Sequence, residues 1–345
     1  MNALRFTRFA AALVFALSVT AAHAQSIDWV TVGDPGNVAD TTGYGAVAAS
    51  FRIMKYEFTN QQYVAFLNAV DPNGTNPNEI YNTNMGSDAH GGISNTGTTA
   101  GSKYASKTNM ADKPVNYVSW FDAARVSNWL QAGGTTYGTS LSGSTAINSG
   151  AYTLNGATSG TAPAVNPGAT FYIPTENQWY KAAYYKGGST NAGYWDYATQ
   201  DDTAPTAVTA GLTGIGSAGS TGNFANYSQG ASWNGQTGNV TTVGTNGRPS
   251  AYGAFDMGGN VYEWNDLTGV ADSSRNRRGG NWNNNVATLL ASTRENYSPS
   301  QQNFGTGFRL AGPAGVPEID PAGIGSVLAL VTGALGLLER RRSRR

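Results

Sequence analysis

Apolar residues recur at helical spacing in three stretches of this chain, residues 59–70, 118–130 and 175–185. In each stretch the apolar positions lie three or four residues apart, which predicts a helix with one buried face. A hydroxyl residue stands near the start of each stretch, where its side chain can accept a hydrogen bond from the first helical turn. These predicted N-caps are Thr59, Ser119 and Thr175.

Strand-like patterns are shorter, and long polar segments separate them. The strand candidates are 27–32, 47–53, 261–265 and 277–282, and the domain closes at 307–310. The other segments are rich in Gly, Asn, Ser and Thr, among them an uncharged insertion at 131–170, and we expect them to form surface loops. Few helices, short strands and many ordered loops predict the α+β class.

Both ends of the chain carry targeting patterns. Residues 1–24 hold two arginines, an apolar run and Ala-His-Ala before Gln25, which predicts a secretory signal peptide. Near the other end an apolar segment, 322–338, is followed by an arginine cluster that includes Arg340, Arg341 and Arg342. An apolar helix with a cationic stop predicts a membrane anchor whose arginine end stays in the cytoplasm. The sequence therefore divides into a signal, a body at 25–315 and a tail at 316–345.

The tail resembles the PEP-CTERM sorting signals of Gram-negative bacteria. Pro317 and Glu318 precede the apolar segment, although this copy reads Val-Pro-Glu-Ile-Asp-Pro and not Pro-Glu-Pro. The resemblance implies that signal peptidase and then an exosortase process the chain at the inner membrane. It also implies delivery of the body to the cell surface or the extracellular matrix.

The charge of the body argues against nucleic acid as a partner. The whole chain has 21 basic and 21 acidic residues, of which the signal and tail hold seven basic and three acidic ones, so the body carries a net charge of about −4. Nucleic-acid binding depends on clustered Lys and Arg that neutralise phosphates, and this body has no such surplus.

The chain also lacks the residues of several common catalytic centres. It has no cysteine, so it has no disulfide and no thiolate, and His90 is the one histidine outside the signal. A centre with several histidines cannot form within one such chain, and no G-x-S-x-G sequence supplies the serine of a hydrolytic triad. His90 lies in a turn-like Gly-Ser-Asp-Ala-His-Gly-Gly stretch, and we expect it to be a solvated loop residue.

Six blocks of the body resemble, in order, the formylglycine-generating, sulfatase-modifying factor family. One block reads Tyr-Ile-Pro-Thr-Glu-Asn-Gln-Trp-Tyr-Lys-Ala-Ala and another Asp-Met-Gly-Gly-Asn-Val-Tyr-Glu-Trp. The blocks are 55–63, 113–123, 172–183, 252–264, 278–282 and 307–309. The resemblance covers about residues 29–310 and implies an irregular, loop-rich α+β fold related to C-type lectins. We expect five tryptophans to anchor its core: Trp120, Trp129, Trp179, Trp264 and Trp282.

The resemblance does not extend to the family's catalytic residues. In catalytic members two cysteines follow the Arg-Gly-Gly block and carry out copper-dependent oxidation, but Asn284 stands at the first of these positions. An amide is neither a soft copper ligand nor a partner in disulfide exchange. The iron-binding relatives use three histidines, which the body does not have. We therefore expect neither copper nor iron, and no formylglycine generation.

The resemblance implies a structural calcium ion. One site maps to the side chains of Asp256 and Glu263 and the carbonyls of Gly259 and Val261. These oxygens are the kind that calcium prefers, although a turn aspartate and a salt-bridged glutamate would explain the same pattern. A second implied site maps to Asn226 and the carbonyl of Tyr227, and its acidic ligand falls near Gln236.

The remaining charged candidates have two interpretations. Four arginines in the C-terminal third either bind carboxylate or sulfate groups in a cleft or pair with the surplus of acids: Arg277, Arg278, Arg294 and Arg309. Asp196, Asp201 and Asp202 supply carboxylates, but nothing beside them indicates a sugar cleft. Asn281, Asn284 and Arg278 are the predicted ligand-binding residues, because they lie where the family opens its substrate groove.

Three functions remain open from the sequence. The leading prediction is an exported, surface-sorted and non-catalytic module used for binding or for extracellular-matrix architecture, with an extracellular polysaccharide or peptide as the expected ligand. The alternatives are an enzyme of the same family with unrecognised chemistry and a structural matrix protein without a ligand.

Overall fold

The computed structural model describes residues 27–134 and 147–315. The predicted signal at 1–24, part of the insertion and the whole tail lie outside these residues, together with the sorting residues Pro317, Glu318, Arg340, Arg341 and Arg342. Within the two described ranges, no helix combines the length and the hydrophobicity needed to cross a bilayer.

Short elements separated by long ordered loops make up the described chain. The helices are α1 (Asn60–Val70), α2 (Asn84–Ser87), α3 (Trp120–Gln131) and α4 (Glu176–Tyr184), with a 3₁₀ turn at Val286–Leu289. The strands are β1 (Trp29–Val32), β2 (Phe51–Met54), β3 (Ile93–Asn95), β4 (Tyr104–Ser106), β5 (Thr206–Ala207), β6 (Phe224–Ala225), β7 (Tyr262–Asn265), β8 (Arg275–Arg278), β9 (Glu295–Tyr297), β10 (Thr306–Gly307) and β11 (Ala311–Pro313). The loop-rich α+β prediction is confirmed.

The three longer helices begin where the sequence predicts. The hydroxyls of Thr59, Ser119 and Thr175 each accept a hydrogen bond from the backbone N–H three residues later. In each helix the side chain at that third position bonds back to the cap residue's N–H, which completes a capping box. Local side-chain chemistry therefore fixes these helix starts.

Two sheets organise the domain. In the first, β2 lies between β1 and β11, and both pairings are antiparallel, so the two ends of the described chain meet on one strand. In the second, the strand order is β10-β7-β8-β9, with β10 parallel to β7 and the other pairs antiparallel. The five predicted anchor tryptophans are all at most 3% exposed.

The predicted strands differ from the observed ones in their bounds. The candidate at 277–282 begins earlier, as β8, and ends at Arg278, because Gly279 and Gly280 adopt positive φ angles of 97° and 71° that turn the chain out of the sheet. The candidate at 47–53 is shorter and shifted, as β2, and the domain closes with β11 and not at 307–310. The turn after β8 leads into the loop that carries the predicted ligand-binding asparagines.

Candidate functional site

The loop after β8 is held in place by Asn281. Its amide Nδ2 donates to the carbonyl of Gly305 at 3.3 Å, and its Oδ1 accepts from the N–H of Asn283 at 2.9 Å. A Cβ at Gly305 would lie 2.0 Å from Asn281 Nδ2, so only glycine permits this approach. Asn281 is 5% exposed and therefore shapes the loop more than it contacts a ligand.

A second loop lies along the first. The N–H of Ser228 donates to the carbonyl of Asn284, and the N–H of Gln229 donates to the carbonyl of Trp282, both at 2.7 Å. The Gln229 side chain adds a 2.6 Å bond to Oδ1 of Asn283. Both donor residues have left-handed φ angles, 51° and 59°, a conformation that is uncommon outside glycine and is found at functional sites.

Three aromatic rings stand beside these loops. The ring of His90 stacks on Trp282 with centroids 4.6 Å apart and planes 17° apart. Phe304 contacts both rings, at 5.4 Å from Trp282 and 6.2 Å from His90, and is 36% exposed. Asn116 ties the two segments together, since its Nδ2 donates to the carbonyls of His90 and Phe304, each at 2.9 Å.

His90 lies in a turn, as expected, but its side chain is less solvated than the sequence suggests. Its side chain is 20% exposed, and its Nδ1 lies 3.0 Å from Oδ1 of Asp88. The same oxygen accepts the backbone N–H of His90 at 2.7 Å. The turn that contains Asp88 and His90 thus packs against Trp282, which covers one face of the imidazole. The local sequence does not reveal this contact, because Trp282 is distant along the chain.

Sequence reasoning missed Tyr117 as well. It is 6% exposed, has a φ of 58° and is hydrogen-bonded to Asp88. Burial raises the pKa of Tyr117, and the charge of Asp88 and the hydrogen bond to it add to that rise. A positive φ is strained for a bulky residue, so the surrounding structure must hold Tyr117 in place. No pattern in the sequence signals it, because the partners of Tyr117 come from a separate loop.

The loop after β8 carries two buried polar atoms that have no hydrogen-bond partner among the described residues. They are Nε1 of Trp282 and Oδ1 of Asn284, and Oδ1 of the neighbouring Asn116 is a third. Buried polar groups are nearly always paired, because an unmade hydrogen bond costs about 1–3 kcal/mol. An indole donor and an amide acceptor are therefore left for a water or a ligand, close to the predicted ligand-binding position Asn284.

Arg278 is not available to a ligand. It is 1% exposed, its Nη2 lies 2.7 Å from Oε1 of Glu176, and its Nη1 donates to the carbonyls of Ala291 and Thr293. The prediction that it binds ligand is corrected to a structural role at the base of the loop.

The other arginines also pair with acids, as the second interpretation required. Arg294 pairs with Glu176, Arg277 with Glu295, and Arg309 with Glu263. In the acidic segment that showed no sugar cleft, Asp201 pairs with Arg248 and Asp202 lies 3.8 Å from Lys186, while the N–H of Asp196 donates to Asp202.

The first implied calcium site does not fit the observed donor set. Arg309 binds both oxygens of Glu263 at 2.6 Å, and Trp179 Nε1 donates to one of them at 2.8 Å. Asp256 accepts the N–H of Gly244 and the amide of Asn246. All four carboxylate oxygens thus already have donors. The carbonyls of Gly259 and Val261 remain, but they are too few for calcium.

Glu57, which the sequence did not mark as important, joins this buried group. It is 0% exposed and accepts hydrogen bonds from the Asn260 amide and the Val261 N–H. Burial, together with the charges of Asp256 and Glu263, raises the pKa of Glu57 well above its usual value. Glu57, Asp256, Glu263 and Arg309 therefore form a buried group of interacting charges, called the buried charge cluster below.

The second implied calcium site fits in part. Asn226 is 0% exposed, and its Oδ1 has no partner among the described residues. Within the described part of the chain, the carbonyl of Tyr227 accepts one hydrogen bond, from the N–H of Gly230, which leaves its second lone pair unused. In place of an acid near Gln236, the neighbour is Asn239, whose carbonyl accepts from the Asn226 amide at 2.9 Å. An all-neutral donor set is a weak calcium site.

We predict that calcium raises the melting temperature through Asn226 alone. At 10 mM calcium and a Kd of about 1 mM, typical of weak extracellular sites, the gain is about 1.4 kcal/mol, or a few degrees. Thermal scans in calcium, magnesium and chelator measure it. The shift should vanish in Asn226→Ala and persist in Glu263→Gln, and an unchanged midpoint in the unsubstituted chain would remove the calcium prediction.

A family model described as a sulfatase-modifying factor enzyme 1-like domain matches residues 33–314. The chain belongs to this family. The match includes both sheets except β1, as well as the loop after β8, and it confirms the family resemblance read from the six sequence blocks. The comparison with curated proteins gave no match.

Solved structures similar to this sulfatase-modifying factor domain cover most of it. The structure titled "Crystal Structure of CarF" is 21% identical, covers 83% of this chain and 98% of its own, and has a TM-score of 0.48. Treponema denticola variable protein 1 is 20% identical, with coverages of 82% and 94% and a TM-score of 0.45. PvdO from Pseudomonas aeruginosa is 16% identical, with coverages of 84% and 92% and a TM-score of 0.40.

Proposed function

We propose that this sulfatase-modifying factor domain is an exported, non-catalytic module that binds a neutral ligand. The binding surface, called the ligand face below, consists of His90, Gln229, Asn283, Asn284 and Phe304. Export, and sorting to the cell surface, rest on the sequence patterns at 1–24 and 316–345.

The observation that carries the proposal is the pairing of aromatic and amide groups on this face. Phe304 and His90 offer apolar ring surface, while Gln229 and Asn283 are exposed amides. Ligand sites combine such apolar walls with a few fixed polar groups, and the unpartnered Oδ1 of Asn284 is a fixed acceptor of this kind. The ligand proposed is an extracellular polysaccharide or peptide.

The chemistry of the loop supports binding without thiol oxidation. The chain has no cysteine, and Asn284 occupies the position that the family resemblance assigns to the first catalytic one. A carboxamide does not form a thiolate or a mixed disulfide, so the oxidation of a substrate cysteine has no nucleophile here.

Array binding tests this proposal. The full chain should give saturable hits on a glycan or peptide array, and Phe304→Ala or Asn284→Ala should weaken them at least about tenfold, the effect of losing one or two good contacts. Leu212→Ala, at a residue that is 95% exposed and outside the ligand face, is the matched control. Binding that all three variants retain, or conversion of a thiol peptide to an aldehyde, would contradict the proposal.

A further inference from the structure

We propose that His90 is a ligand-contacting residue that presents an unprotonated Nε2 to a hydroxyl group, so that the ligand is a neutral saccharide. This inference rests on the proposed function, since it names the ligand class of the same face. It depends on three features of the structure: the contact of Nδ1 with Asp88, the aromatic stack, and the lack of a partner for Nε2 among residues 27–134 and 147–315.

The first feature fixes the tautomer. A neutral imidazole carries its proton on one nitrogen, and the nitrogen facing an ionised carboxylate must be the donor. Burial acts to raise the pKa of Asp88, but hydrogen bonds from the His90 backbone and ring, the His90 charge and the Tyr117 hydroxyl lower it below its usual value. Asp88 is therefore an acceptor, and at 3.0 Å it places the proton of His90 on Nδ1.

The second feature, the aromatic stack, fixes the orientation of the imidazole ring. Stacking on Trp282 sets the plane of the imidazole, and the Asn116 bond to the His90 carbonyl anchors its backbone. Both ring orientation and tautomer are thus set before a ligand arrives. A preorganised acceptor loses less entropy on binding than a freely rotating one.

The third feature is the availability of Nε2. Among the described residues, no hydrogen bond uses this atom. The charged or titratable groups around the ring are Asp88, Tyr117 and Lys107, whose Nζ donates to the Asp88 carbonyl at 2.7 Å. None of these three groups forms a hydrogen bond with Nε2, so its lone pair can accept a hydrogen bond from the ligand.

The surroundings favour a saccharide hydroxyl as that donor. Gln229 and Asn283 are neutral amides that bond to each other at 2.6 Å, and Phe304 adds an apolar ring. A polyhydroxylated ring offers O–H donors and acceptors together with an apolar face, which matches amides and aromatic rings. No Asp, Glu, Lys or Arg belongs to the ligand face, and the two charged groups beside it, Asp88 and Lys107, are opposite in sign.

The tautomer can be tested without a ligand. In two-bond ¹H–¹⁵N spectra of the full chain at pH 8, the imidazole signals come from His23 and His90, and His90→Gln assigns them. We expect Nδ1 of His90 to be protonated and Nε2 to be free, the reverse of the tautomer that dominates in free histidine. In Asp88→Asn the preference should weaken. A protonated Nε2 in the neutral ring of the unsubstituted chain would overturn the inference.

The ligand class is tested with immobilised neutral oligosaccharides of glucose, galactose and mannose. Binding to the full chain should be saturable. His90→Phe, which keeps a stacked ring but has no acceptor, should weaken binding about tenfold. His90→Gln, whose side-chain oxygen can still accept a hydrogen bond, should weaken binding less than His90→Phe does.

The outcomes separate the two proposals. Saccharide binding that His90→Phe leaves unchanged overturns the role of His90 and leaves the binding module standing. Binding of peptides but not of saccharides overturns the ligand class alone. No binding of any array ligand overturns both.

Discussion

Replacing Arg309 with methionine is expected to lower the free energy of unfolding by about 3–5 kcal/mol. Arg309 is 0% exposed and binds both oxygens of Glu263, so its loss leaves a buried carboxylate without a counter-charge. It also donates to the carbonyls of Met54 and Phe255. Methionine fills similar volume, which keeps the cavity contribution small.

The deficit of Arg309→Met should depend on pH. The folded-state pKa of Glu57 is already raised by burial and by Asp256 and Glu263, and the charge of Arg309 opposes that rise. Removing the arginine raises the folded-state pKa of Glu57 further. A group with a raised folded pKa contributes stability that is fully present below the unfolded pKa of Glu, about 4.3, and is lost as the pH rises through the folded pKa. The deficit of the variant therefore grows with pH where Glu57 ionises in the folded unsubstituted chain but stays protonated in the variant, and we expect it to be smaller at pH 5 than at pH 8.

Urea unfolding of both proteins at the two pH values measures this effect. The matched control is Arg277→Met, on β8, which pairs with the strand that carries Glu263. Its partner Glu295 is 32% exposed, and the cost of this variant should be clearly smaller. Glu263→Gln combined with Arg309→Met should recover part of the loss, because the uncompensated charge is gone. If Arg309→Met and Arg277→Met lower the free energy of unfolding equally, the buried charge cluster has no special role in stability.

The sequence predicts those parts of this fold that depend on local chemistry. Thr59, Ser119 and Thr175 cap the helices as expected because a capping box needs only residues within one turn. The sequence pattern places the end of β8 too late, because it does not show that Gly279 and Gly280 adopt positive φ angles. Periodicity therefore finds elements more reliably than their ends.

The candidate site was predicted only in part because its residues are distant in sequence. Asn284 was marked by its position after the Arg-Gly-Gly block, but His90 and Phe304 meet beside it only through tertiary contacts, including the two bonds from Asn116. The family resemblance likewise implied that Glu263 is a calcium ligand together with Asp256. Only the fold brings Arg309 onto both of its oxygens.

The second large effect is expected at Glu176. Its two oxygens accept from Arg278, Arg294 and Asn276, and Arg278 is also stacked between Tyr44 and Tyr180 at 4.7 and 5.0 Å. Glu176→Gln keeps the shape but removes the charge that compensates a fully buried guanidinium. We expect a loss of about 3–5 kcal/mol in the free energy of unfolding. Asp201→Asn, which breaks a partly exposed pair with Arg248, should cost far less because solvent screens that pair.

The effect of Glu176→Gln should reach the ligand face. Arg278 connects the two ends of the loop that carries Asn284. It is the last residue of β8, where the loop begins, and its side chain donates to the carbonyls of Ala291 and Thr293, where the loop ends. When its counter-charge is removed, the amides of residues 279–291 should exchange with solvent faster than those of α1, which lies apart from the ion pair. Hydrogen exchange followed by mass spectrometry measures both segments in one sample. Uniform acceleration would mean that Arg278 supports the whole fold, whereas acceleration confined to the loop means that this buried ion pair holds the binding surface in shape.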